Sequence, residues 1–171
     1  MSCQRITLVS TFLAATACAG ESEYGPEDFE VTAADQQADD AYAQALADSK
    51  ADGELTYLAV ARLAHGAGVA CSGDRVAIAV AVAKAESGFD PTASNTAGNS
   101  HGTDRGLWQI NSYFHPEISK ACAYSASCNA RGMASISDRG TKWSEWWTYN
   151  NGLHWKYMTS ARAAQKSVCG G

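Results

Sequence analysis

The chain has no apolar run long enough to cross a bilayer, no internal repeat, no Cys-x-x-Cys pair and no cluster among its four histidines. The longest apolar stretch, Ile6 to Thr16, is about half of what a membrane-spanning helix needs. Without paired cysteines or grouped histidines there is no donor set for a metal, and nothing calls for a cofactor. His65, His101, His115 and His154 read as surface or cap residues. Basic charge is nearly missing from about one fifth of the chain: Ala19 to Glu54 holds eleven acidic residues and a single lysine, Lys50. From Leu55 onward eleven Lys and Arg face seven acids, but they form no stripe, which argues against nucleic acid as a partner.

The N-terminus carries the marks of export. Met1 to Arg5 is a short basic start, and the apolar stretch after it suits a signal peptide over 1–17. Ala15-Thr16-Ala17 offers a small-residue cleavage site. Ala15-Thr16-Ala17-Cys18-Ala19-Gly20 also resembles a bacterial lipobox, which would leave Cys18 lipidated and the chain tethered to a membrane. Residues 18–54 follow as an acidic tether with too little apolar content to build a core, helical in part between Ala33 and Ala51. Residues 55–171, net +4, suffice for one compact domain drawn to polyanions such as bacterial cell wall, and the reading is of a monomer.

With Cys3 and Cys18 set aside, four cysteines remain in an exported domain. Their even number points to two disulfides, with three connectivities open. Cys122 and Cys128 close a short loop and are the natural pair, which leaves Cys71 to tie down Cys169.

Helical spacing runs from Leu55 to Leu63 and stops at His65 to Gly68. A second helix, from about Asp74 to Ser87 with Gly88 as its stop, is apolar all round in Val76 to Ala83, as a buried central helix is. Between Gly88 and Gln109 the composition turns to Asn, Gly, Ser, Thr and Asp, and Asn95, Gly98, Asn99, Gly102 and Gly106 predict a small irregular hairpin or sheet. Helices resume at Pro116 to Ala121, at Ala130 to Asp138 with Asn129 as cap, at Ser144 to Tyr149, and at Trp155 to Ala164. The sum is an α+β domain, mostly helical, with one small β insertion forming a cleft.

Two carboxylates stand out. Glu86 shares a helix face with Ala79, Val82 and Ala83, so its acid is poorly solvated and its pKa is expected to rise. Lys84 points elsewhere and should not quench it. Asp104 opens a polar turn 18 residues on and should stay ionised. Opposed environments of this kind separate an acid from a base or nucleophile.

The segment Glu86-Ser87-Gly88-Phe89, followed by Gly102-Thr103-Asp104-Arg105-Gly106-Leu107-Trp108-Gln109-Ile110-Asn111-Ser112, resembles the active-site region of animal-type lysozymes. It is also similar to the soluble lytic transglycosylase group of the lysozyme-like superfamily, through the Glu-Ser pair, a Gly-Leu-x-Gln motif and Tyr149-Asn150-Asn151-Gly152. The resemblance is strongest from Ala85 to Ser112 and runs from Leu55 to Met158. The cysteine set, Arg105, Trp108 and a longer Glu-to-Asp spacing depart from the animal enzymes and place the chain in a bacterial or phage-like branch. The pairing of a raised glutamate with an ionised aspartate is the one animal-type lysozymes use, so the electrostatic reading and the resemblance are one argument, not two.

What the resemblance implies is a peptidoglycan-cleaving glycosidase with Glu86 as general acid and Asp104 as nucleophile or ion stabiliser. It also implies Gln109 and Tyr149 in the cleft. From the residues themselves, Asn111 alternates with Gln109 on one strand face and suits sugar hydroxyl or N-acetyl groups. Most of the aromatics, four Trp within 143–155 among them, are read as core and not as a ligand platform, and no tryptophan is assigned to the cleft. Two alternatives accompany this reading: lytic transglycosylation by Glu86 alone, giving a 1,6-anhydro product, and a non-catalytic module that only binds cell wall.

Overall fold

The computed structural model describes residues 29–49, 54–96 and 101–170. The signal peptide over 1–17, Cys18, the first part of the tether and the turn residues Gly98 and Asn99 lie outside them. The described chain forms helices α1 (Ala33–Ser49), α2 (Glu54–Gly66), α3 (Arg75–Ser87), α4 (Lys120–Tyr124), α5 (Ala126–Ile136), α6 (Trp147–Asn150) and α7 (Met158–Cys169). A 3-10 turn, Leu153–Tyr157, precedes α7, and three short strands stand between α3 and α4: β1 (Ser94–Asn95), β2 (Asp104–Arg105) and β3 (Ile110–Asn111). This is the expected α+β architecture, helices around one small sheet.

The all-round apolar helix sits at the centre. In α3, Val76, Ala77 and the run Ala79 to Ala83 are buried, and α2, α7 and the 3-10 turn pack against it. Val76, Val80 and Val82 each contribute about 1.5–3 kcal/mol relative to exposure. Gly88 ends the helix in the left-handed region at φ 67°, its N–H returning to the Lys84 carbonyl. Asp74, at the other end, makes no side-chain cap. It accepts from Arg162 of α7 at 2.7 Å instead.

Cys71–Cys169 and Cys122–Cys128 are both bonded. The first closes a loop of 98 residues, for which chain entropy alone gives about 4–5 kcal/mol. His65 lies beside Cys71, but with both sulfurs of Cys71 and Cys169 in the disulfide there is no thiolate for a metal.

The composition of 18–54 predicts a solvated tether, yet its described part, 29–49, is packed on the domain. Thr32 and Asp35 cap the start of α1 reciprocally: the Asp35 N–H donates to Thr32 Oγ1, and the Thr32 N–H to Asp35 Oδ2 at 2.7 Å. Arg131 of α5 donates to the same carboxylate at 2.5 Å, and Asp39 accepts from the Ser127 N–H. Phe29 bridges to Ile118, and Tyr42 enters the core at 4% exposure. Two of the five acids in 29–49, Asp35 and Asp39, therefore serve as specific acceptors for α5.

The sheet is antiparallel in the order β1-β2-β3, with Asn95 opposite Asp104 and Asp104 opposite Asn111. Gly106 lets β2 turn back: φ is 75°, and a Cβ there would lie 2.0 Å from the Ala123 carbonyl. Asn129 differs from expectation. Ser125 caps α5 and Asn129 is buried within it, where its amide accepts from Trp108 N–H and donates to the Arg105 and Ala123 carbonyls. A buried amide that satisfies three backbone groups anchors the β insertion to the helical part.

Candidate active site

Glu86 comes from the last turn of α3, Asp104 from β2, and they meet in one cleft of about 230 Å³. Its wall also holds Gln109, Asn111, Phe114, His115, Glu145, Trp146 and Trp147. A larger cavity of about 620 Å³ lies between α1, α2 and α5, but it contains neither carboxylate and shares no residue with the cleft. Chemistry, not volume, picks the site.

Burial is the main influence on Glu86 and pushes its carboxyl above the ordinary glutamate range, since the charged form loses solvation. Thr148 opposes this, its hydroxyl donating to Glu86 Oε1 at 2.5 Å, and the negative charge of Asp104 adds to the upward push. The apolar face expected beneath Glu86 is present: Ala79, Val82 and Ala83 are fully buried. Lys84 is turned away, donating to the Gly88 carbonyl and lying 4.8 Å from the Phe89 ring centroid. The result is an acid able to hold its proton beside a second carboxylate.

Asp104 is fixed by its register. Asn111, opposite it on β3, donates from its amide to Asp104 Oδ1 at 2.7 Å. The oxygen of that amide accepts from the Tyr113 and Phe114 N–H groups, so Asn111 holds the loop that carries Phe114. Gln109 is not on a strand. It sits in the turn before β3 at φ 48°, and its amide donates to the Ala93 and Gly106 carbonyls. Both residues line the cleft, and both direct their amide N–H groups at the protein.

Tyr149 is not part of the cleft wall. Its ring stacks on buried His154, centroids 4.6 Å apart, and leans on Trp143. Its neighbours reach the site instead: Thr148 bonds Glu86, and Trp147, 66% exposed, lines the cleft. The other tryptophans divide between core and surface. Trp108 is fully buried with its indole N–H on the Ala79 carbonyl, Trp143 and Trp146 are buried, and Trp155 is exposed. Nothing local in the sequence points to Glu145, Phe114 or His115. Thr148 stands beside the Tyr-Asn-x-Gly motif, the one local signal pointing to it.

The profile of a family described as a lysozyme-like domain matches residues 61–148. The chain belongs to the lysozyme-like domain family. The matched stretch runs from within α2 into α6 and carries Glu86, Asp104, Gln109, Asn111 and Thr148, while α1, the 3-10 turn and α7 lie outside it. Neither a curated protein nor a solved structure gives a significant match.

Proposed function

We propose that this lysozyme-like protein is an exported peptidoglycan glycosidase that cuts the β-1,4 bond between N-acetylmuramic acid and N-acetylglucosamine. The observation carrying the proposal is the half-buried Glu86 carboxyl, raised by burial and by Asp104 in the same cleft. Glu86 donates its proton to the glycosidic oxygen as the C1–O bond breaks. Asp104 stabilises the positive charge that develops on the sugar, as nucleophile or as counter-ion. Water then attacks C1 and returns its proton to Glu86. Phe114 and Trp147, exposed on the cleft wall, suit the apolar faces of sugar rings. The four disulfide-bonded cysteines fit an oxidising compartment, and among the described residues no helix is long and apolar enough to cross a membrane. We place the domain at the cell envelope, released by cleavage after 1–17 or tethered through Cys18.

One observation favours a second reading. Oδ1 of Asp104 is held by Asn111, which suits a structural role for the aspartate. In that case Glu86 acts as acid and then as base, the muramic 6-hydroxyl attacks C1, and a 1,6-anhydro end forms. Digestion of purified peptidoglycan with mass spectrometry of the ends tests both. Reducing ends support hydrolysis and anhydro ends support lytic cleavage. A native chain that releases no fragments leaves only a binding module.

A further inference from the structure

Phe89 shapes the turn that follows Glu86, in a conformation aromatic residues seldom adopt. Its φ is 76°, directly after Gly88 at 67°, and the ring is buried at 3% exposure. A left-handed residue with a side chain persists only where its surroundings hold it. The Phe89 N–H donates to Ser87 Oγ, and the Ser87 hydroxyl donates to the Leu107 carbonyl at 2.8 Å, joining the helix end to the β insertion. Tyr57 meets the Phe89 ring edge-on, centroids 5.0 Å apart. The Phe89 carbonyl is held from α1, where the buried Tyr42 hydroxyl donates to it at 2.9 Å across 47 residues of sequence.

We infer that Tyr42 is a positioning residue for Glu86: α1 is a strap whose hydroxyl fixes the Gly88–Phe89 turn and so the end of the helix that carries the acid. The inference rests on the reading of Glu86 as the acid, and it assigns a role to a segment outside the family match. Tyr42 suits the task because it stays a donor. Burial first, then the charges of Asp90 and Asp39, push its hydroxyl well above the ordinary tyrosine range. Asp39 and Asp90 act on the Tyr42 hydroxyl, Lys84 lies over the Phe89 ring, Asp35, Arg62 and Arg131 line the cavity that Tyr42 also lines, and Asp104, Glu145 and His115 share the cleft with Glu86. Tyr42→Phe leaves every one of them in place.

The experiment uses the full mature chain and two readouts. The carboxyl carbon of Glu86 is titrated by NMR in the native chain and in Tyr42→Phe. Turnover of peptidoglycan fragments is measured well below both melting temperatures. We expect Glu86 in the variant to titrate lower, toward an ordinary glutamate, as the helix end loosens and water enters. We expect kcat to fall about tenfold with KM within about twofold. Asp35→Asn is the control, because it weakens the α1 clasp without touching the turn; at a comparable loss of stability it should keep the native titration and kcat. A Tyr42→Phe chain that titrates and turns over like the native one overturns the inference. So does an Asp35→Asn chain that reproduces both effects, which would reduce the strap to general stability. A native chain inactive on peptidoglycan refutes the acid reading instead, while the titration still decides whether Tyr42 governs the surroundings of Glu86.

Discussion

The Thr148 hydroxyl donates to Glu86 Oε1 at 2.5 Å, joining α6 to the end of α3 across 62 residues of sequence. The contact orients the carboxyl at the cleft, and the Thr148 backbone adds a second hydrogen bond to it. It also moderates the acid, because a donor to the charged form favours ionisation.

Removing that donor moves the acid upward. In Thr148→Val the descending basic limb of the kcat/KM profile shifts to higher pH, and kcat falls by about tenfold or less through lost orientation. A pH–rate series on native and variant chains checks the direction.

Neutralising Asp104 moves it the other way. Its charge raises Glu86, so Asp104→Asn shifts the basic limb to lower pH, opposite in sign to Thr148→Val. If Asp104 also stabilises the reacting sugar, kcat falls by about 10²-fold. A shifted limb with kcat nearly intact would leave Asp104 a structural role and favour lytic cleavage.

Trp147 is nearly free of the core and lines the cleft. Trp147→Ala should raise KM by about three- to tenfold with little change in kcat, the signature of lost sugar stacking. Melting temperature should hardly move, because the ring buries little in the native chain.

The Asp35–Arg131 clasp gives α1 a pH dependence. Burial alone would raise Asp35, but hydrogen bonds from Arg131 and Thr32 outweigh it and hold the carboxyl below the ordinary range. A depressed carboxylate stabilises the fold above its unfolded value, and that stability is lost as pH falls through the folded value. Asp35→Ala should therefore cost about 1–2 kcal/mol near neutrality, a partly exposed Arg131 keeping it modest, and progressively less in acid. Urea titrations at several pH values measure the difference.

Local rules made much of the site legible. Spacing alone places Glu86 over Ala79, Val82 and Ala83, and Gly88 marks the helix end, where it takes the left-handed backbone glycine adopts without strain. Turn residues marked the β insertion, and Asp104 came with the motif inside it. Contacts distant in sequence stayed hidden. Thr148 reaches Glu86 through packing that no spacing encodes, and Asn129, a cap by its type, is buried because three backbone groups of the insertion need its amide. Alternation suggested a strand at Gln109, but its positive φ makes it a turn residue whose amide serves the protein. The tether is the largest departure. Its composition is that of a solvated chain, yet Phe29, Tyr42 and two well-placed aspartates suffice to dock it.

The most direct test concerns Glu86 itself. Native chain and Glu86→Gln are incubated with the same purified peptidoglycan at neutral pH, and soluble fragments are quantified by mass spectrometry. An amide keeps the shape and much of the hydrogen bonding but has no proton to give, so fragment release should fall by about 10³-fold or more while binding to the wall persists. A Glu86→Gln chain that releases fragments at the native rate would contradict the account.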